Sequence, residues 1–134
     1  MTGVEIVGDQ LAGDAAFAAA VPVGQFDYWD LPQGTGLPSV LLTRVSRVEF
    51  SFLAEVRQQP VTERIQATVR ASSGAEREAI LKTIRDACRN KRPVVEGVFN
   101  VSLLLAGDGP DFKDEDAAIY MGSTDVRVSF TETV

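Results

Sequence analysis

From Val61 to Ala71 the chain alternates residue by residue. Val61, Glu63, Ile65, Ala67, Val69 and Ala71 fall on one side, and Thr62, Arg64, Gln66, Thr68, Arg70 and Ser72 on the other. One side is largely apolar and the other wholly polar, which predicts a strand in a sheet covered on one face. Ser72-Ser73-Gly74 breaks the period. Ser73 and Glu76 then have the spacing of a capping box, in which a hydroxyl and a carboxylate satisfy orphan amides of a first helical turn. Ile80, Ile84, Ala87 and Cys88 follow at helical spacing, widened by Leu81. A helix of about 17 residues, roughly 25 Å long, is expected. Arg89, Lys91 and Arg92 suit the negative end of its dipole, and Pro93 is expected to stop it.

The same reading extends toward the N-terminus. Thr2 to Ala20 predicts one helix, with Thr2 and Glu5 at capping-box spacing and Val4, Val7, Leu11, Ala15 and Ala18 three or four residues apart. Gly3, Gly8 and Gly13 each weaken it by up to about 1 kcal/mol relative to alanine. They mark either a frayed start or a close approach to a neighbour. Val21-Pro22 closes the helix. Gln25 to Trp29 reads as a short strand or extended segment, and Leu31 to Pro38 as a turn-rich loop. Ser39 to Phe50 is strand-like. Val40, Leu41 and Leu42 run on, as in a strand end buried on both faces, and then Thr43, Val45 and Arg47 alternate against Arg44, Ser46 and Val48.

Ser51 to Pro60 mixes Phe52, Leu53 and Val56 with polar residues and predicts the projecting tip of an antiparallel hairpin. With Phe50 and Phe52 at its base, this tip is either core packing or a surface for another subunit. Val94 to Ala106 is a third long strand, with Val95, Phe99, Val101, Leu103 and Leu105 on one face. Gly107 to Asp116 reads as an acidic loop. Ala117 to Met121 and Thr124 to Thr133 read as a strand interrupted or bulged near Gly122 and Ser123. The fold class is therefore α+β: an antiparallel or mixed sheet of about four strands with two helices packed on one face.

Composition narrows the function more than the fold. At 134 residues, 45% of them hydrophobic, the chain fits one domain, residues 1–134. No apolar run reaches the roughly 18 residues that would span a membrane. The first residues lack the basic region of a signal peptide, and the lone Cys88 admits no internal disulfide, so an intracellular product is expected. A net charge of −6 argues against a nucleic-acid coat. Histidine is absent, which excludes a Ser-His-Asp triad, a Cys-His pair and any histidine-ligated zinc. The glycines match neither the P-loop nor the dinucleotide fingerprint. No cofactor, no metal and no catalytic residue is expected.

The remaining candidates are surfaces. Asp108, Asp111, Asp114, Glu115 and Asp116 form the densest acidic cluster, but not at EF-hand spacing, and read as a solvated or partner-facing loop. Arg44, Arg47, Arg57, Arg64 and Arg70 lie on or beside the hairpin. Arg44, Arg64 and Arg70 are expected to share the face away from the helices, where they meet solvent, DNA phosphates or acidic residues of another subunit. Cys88 reads as a small core residue. Phe26, Tyr28 and Trp29 form one aromatic knot, expected to pack over the helices or against another chain.

Taken in order, these elements resemble the small tail-completion, or tail-terminator, proteins of long-tailed bacteriophages and of phage-like gene transfer particles. The likeness runs through the alanine-rich Leu11 to Ala20 and Phe26-Asp27-Tyr28. It continues in Pro32-Gln33-Gly34, Leu37-Pro38, the strand through Arg44, Arg64 to Val69 with its helix, and Asp125-Val126-Arg127-Val128. The resemblance implies a non-enzymatic virion protein. Such proteins form a homo-hexameric ring that caps the tail tube, stops its polymerisation and joins tail to head, and DNA passes through the ring without sequence-specific binding. The implied partners are copies of itself, the major tail tube protein and a head-tail connector or stopper protein, with no membrane. Residues 51–60 and 107–116 depart from the shorter forms. On this reading Arg44, Arg47, Phe50, Phe52, Leu53, Val56, Arg57, Arg64 and Arg70 are ring-interface candidates. Asp108, Asp111, Asp114, Glu115 and Asp116 are candidates for contact with tail or head. The competing classes are a small α+β adaptor for nucleic acid or protein, and a histidine-free enzyme.

Overall fold

The computed structural model describes residues 2–22, 24–28, 31, 36–50, 57–115 and 118–133. Among these residues there are three helices, α1 (Gly3–Ala12), α2 (Ala15–Ala20) and α3 (Gly74–Cys88). The strands are β1 (Phe26–Tyr28), β2 (Ser39–Glu49), β3 (Gln58–Ala71), β4 (Val98–Asp108), β5 (Phe112–Asp114) and β6 (Ile119–Thr133). They form one six-stranded sheet in the order β1-β2-β3-β6-β4, with β5 beside β6. The sheet is mixed, because β1 runs parallel to β2 while the other pairings are antiparallel.

The alternation read in β3 is what the sheet uses. Val61, Ile65, Ala67, Val69 and Ala71 are buried, and their register partners Phe130, Val126, Thr124, Gly122 and Tyr120 lie on the same face. α3 packs over β3 and β6 on that face, and α1 lies beside it over β2, β3 and β6. Ile80, Leu81, Ile84, Ala87 and Cys88 of α3, with Val4, Ile6, Val7 and Leu11 of α1, fill the core. Each valine, leucine or isoleucine among them contributes about 1.5–3 kcal/mol when fully buried.

Several boundaries differ from the sequence reading, each for a local reason. The first helix is two: Gly13 ends α1, and Asp14 caps α2 by accepting from the Phe17 amide at 2.9 Å. The break resets the phase, so Phe17 is buried while Ala15 and Ala18 are exposed. β3 begins at Gln58, so Gln58-Gln59-Pro60 belong to a strand and not to a turn. β4 starts at Val98 and extends through Gly107 and Asp108. A register shift between Phe99 and Ser102, with Asn100 at φ 53°, moves Phe99 to the open side while Val98, Val101 and Leu103 stay buried. The acidic loop contains β5, and β6 runs unbroken through Gly122 and Ser123 in continuous register with β3. Gly122 fits because Arg77 and Leu81 of α3 pass directly over it. α3 ends at Cys88, before Pro93, with Asn90 at φ 52° turning the chain. The Ser73 hydroxyl takes the Glu76 amide as expected, but the Glu76 carboxylate reaches back one residue further, to Ser72.

The glycines of α1 answer the open choice between fraying and close approach. A Cβ on Gly8 would run into the ring of Tyr28, and one on Gly3 would lie 3.0 Å from Glu63 Oε2. That second approach anchors the helix. Glu63 is completely buried, and its Oε2 accepts from the Gly3 amide at 2.8 Å in the first turn of α1. Arg44 Nη1 donates to its Oε1 at 3.2 Å, and Arg47 Nη1 to its Oε2 at 3.5 Å. Arg47 also binds Glu49 at 2.8 Å and Glu132 at 2.5 Å. These bonds, the one to Glu49 first, raise its pKa and keep the guanidinium charged. Arg44 thus lies on the helix side and not with Arg64 and Arg70. The register of β2 against β3 slips between Arg44 and Ser46, so Arg44 and Arg47 both flank Glu63.

Replacing Glu63 by glutamine keeps the shape but removes the charge that both arginines and the helix end address. The expected loss is about 2–4 kcal/mol of unfolding free energy, read by urea denaturation. An unchanged midpoint would show that the apolar layer alone positions α1.

Candidate functional site

The face of the sheet away from the helices has no covering layer among the described residues. Register pairing orders it into rows that cross the strands. One row is Ser46, Arg64, Arg127 and Leu104; the next is Val48, Thr62, Ser129 and Ser102; at the end, Phe50 meets Pro60, followed by Thr131 and Phe99. Val48, Phe50, Phe99 and Leu104 are exposed by 59%, 59%, 49% and 43%. Four large apolar side chains toward one end of an open face mark a contact surface, since scattered single residues would need no explanation. Further along, Arg70 stands opposite Met121, and Met121 opposite Phe112, which is 53% exposed.

Thr62 Oγ1 and Ser129 Oγ lie 3.2 Å apart across the strands. Arg64 Nε donates to Asp125 Oδ2 at 2.6 Å, and its Nη2 to the Ala106 carbonyl at 3.2 Å. Asp125 is only 7% exposed and its Oδ1 has no partner among the described residues. Asp125 and Arg127 were read in the sequence as part of the last strand and not as interface candidates. Their signal was a charge at each of two successive outward positions of a strand.

The expected ring-interface residues divide into three groups. Arg44 and Arg47 are tied to Glu63 on the helix side. Phe50, Arg64 and Arg70 lie on the open face, and Arg57 is exposed just before β3. Phe52, Leu53 and Val56, the tip proper, lie outside the described residues, as do Trp29 of the aromatic knot and Pro32-Gln33-Gly34. Phe26 and Tyr28 pack toward the helices, Phe26 edge-on to Phe17 at 4.9 Å between ring centres.

The acidic segment is less free than its sequence indicates. Asp108 is bound by Arg85 at 3.3 Å, Asp111 by Arg77 at 3.5 Å, and Glu115 by Lys113 at 3.8 Å. Asp114 also has a partner, and Asp116 lies outside the described residues. The described residues contain no group of three or more His, Cys, Asp or Glu placed to hold a metal. Two shallow grooves of about 500 and 400 Å³ flank residues 92–96, where Val94 is fully exposed. Neither brings together acid, base and nucleophile.

A family model described as Tail completion protein gp17 matches residues 7–131. No curated protein matches the chain. Among solved structures, a chain from the virion of a native gene transfer agent particle shares the fold with a TM-score of 0.68. It is 16% identical, and the alignment covers 98% of this chain and 99% of that one.

Cys88 has no solvent exposure, and burial, with a smaller contribution from Asp14, pushes its thiol up to about 12. At about pH 8 it should resist a thiol reagent in the native protein and react fully once urea unfolds the chain. Equal labelling of both states would mean that the α3 core face opens readily.

Proposed function

Since the chain belongs to the tail completion protein gp17 family, a family of structural and non-catalytic proteins of phage-type tails, we propose that it closes as a ring on the end of a tail tube. The match over residues 7–131 carries this reading. In it, six copies bind side by side, one ring face fits the major tail tube protein, and the other meets a head-tail connector or stopper protein. DNA passes through the opening without sequence-specific contact.

The physics of termination is a matter of unlike faces. A subunit that uses two different patches closes laterally into a ring. Axial growth stops when the face turned away from the tube does not reproduce the face that tube subunits recognise. An open, one-layered sheet supports the first requirement, because it offers a broad wall in which exposed apolar residues lie among small polar ones. The stretch 51–56, with Phe52, Leu53 and Val56, joins β2 to β3 beside Phe50 and Arg57 and is the proposed reach toward a neighbour. The segment 107–116 is the proposed contact with tail or head. Its carboxylates on Arg77 and Arg85 of α3 hold it to the body and leave Phe112 presented.

Native mass determination of the protein, alone and with purified tail tubes, tests the assignment. A species of about six subunits on tube ends is expected, and failure to bind tube ends would overturn it. Deleting residues 53–57 should leave the sheet folded, since β3 starts at Gln58, and should weaken the ring. An undiminished ring mass would remove the tip from the interface.

A further inference from the structure

The open face of the sheet is electrically at odds with the rest of the chain. The protein has 13 basic and 19 acidic residues. Yet the outward positions of β3 and β6 carry Arg64, Arg70 and Arg127 against one carboxylate, Asp125, which Arg64 already occupies. Arg127 stands directly across the strand pair from Arg64, exposed, with no ion-pair partner among the described residues. Like charges directly opposed on a sheet destabilise it, so the isolated subunit bears a repulsion that an incoming carboxylate would relieve. Leu104 lies beside Arg127 in the same row, and Val48 and Phe99 lie close by on the same face. A phosphate backbone would leave those apolar groups in water, whereas a protein surface covers them.

The chain's own carboxylates narrow the choice of surface. Asp108, Asp111, Glu115 and Asp86 are each held by a basic side chain of the same molecule. The corner where β1 meets α1 is different. The Tyr28 ring sits on Gly8, within a helical turn of Glu5 and Asp9, and Asp27 precedes it on the opposite side of the edge strand β1, so the three carboxylates flank this rim of the sheet. These three carboxylates have no basic partner among the described residues. Burial first, and then Asp9, Asp27 and Glu5, raise the Tyr28 pKa, which agrees with an unneutralised corner. β1 is one end of the strand order, and β6 and β4 are the other.

We infer that the Arg64–Arg127 patch of one copy receives the Glu5–Asp9–Asp27 corner of the next, with Leu104, Val48 and Phe99 covered in the seam. The inference rests on the ring reading and assigns its lateral contact. Because the two patches lie toward opposite ends of one sheet, the contact is head-to-tail, the kind that closes a ring where a self-complementary patch would stop at a dimer.

The test is a charge exchange. Arg127→Glu alone and Asp27→Lys alone should each raise the concentration at which rings half-form by about tenfold or more. The double variant, which restores opposite signs across every seam, should recover most of that loss. Native mass spectrometry reads the assembly, and thermal unfolding confirms that each variant is folded. Should one single variant fail to fold, the other carries the same comparison. Wild-type rings alongside undiminished Arg127→Glu rings overturn the seam and leave the ring reading standing; wild-type protein that never rings, with or without tube ends, overturns both. An Arg127→Glu variant that keeps its ring but loses salt-dependent binding to a short DNA duplex assigns the patch to phosphate contact and overturns the seam.

Discussion

A carboxylate shut away from water joins the two layers of this protein. A buried charge is tolerated only when its oxygens are met by donors and opposite charge. Glu63 meets that condition through Arg44, Arg47 and the first amide of α1. Each donor depends on something else. Gly3 can come close because it has no side chain. The two arginines reach the same side because β2 slips register between Arg44 and Ser46. Apolar contact is non-directional and would allow α1 to slide over the sheet. The carboxylate gives the helix one address, and the positive end of its dipole points at that address.

With the helices fixed on one side, the sheet divides its faces between cohesion and contact. The helix side is apolar packing interrupted by Glu63 and the two arginines that meet it. The other side keeps Thr62, Thr68 and Ser129 in its middle, small polar groups that are at ease in water. Most of its exposed apolar residues collect toward one end, and Phe112 stands toward the other. A protein whose role is to meet other proteins needs a surface that is soluble before assembly and adhesive after it. Short hydroxyl side chains with a few flanking aromatics satisfy both conditions, and no catalytic pocket is called for.

Much of this was legible because it is periodic. Alternation through Val61 to Ala71 identified β3 and its covered face, and the Ser73–Glu76 spacing placed the start of α3 correctly. What escaped detection was whatever interrupts a period. Arg44 stays in phase with the buried Val40 and Leu42, the bulge after it brings Arg47 to the same side, and the one at Asn100 turned Phe99 outward; both bulges depend on pairing with another strand. Gly122 and Ser123 looked like a break because nothing in the chain reveals that α3 passes over Gly122. Glu63 was visible all along as a charge in the apolar phase of β3. Its importance required knowing that a helix begins there. The short strand β1 falls inside Gln25 to Trp29, read as a short strand or extended segment, but β5 has too few residues to show any alternation; about four strands were expected where six are found among the described residues.

The strand order also governs how the molecule comes into being. β6 is the last strand in the sequence and is paired with β3, β4 and β5. A growing chain can form the β2–β3 hairpin and α3 early, but their flanking strand is missing until β6 is synthesised. Non-local pairing of this kind folds slowly, and during the wait β3 and β4 expose bare edges able to join to other chains. The row that holds Arg64 beside Arg127 does not exist until that last strand is laid down. Its surface therefore arises only once β6 is in place, a timing that excludes chains lacking that strand from assembly.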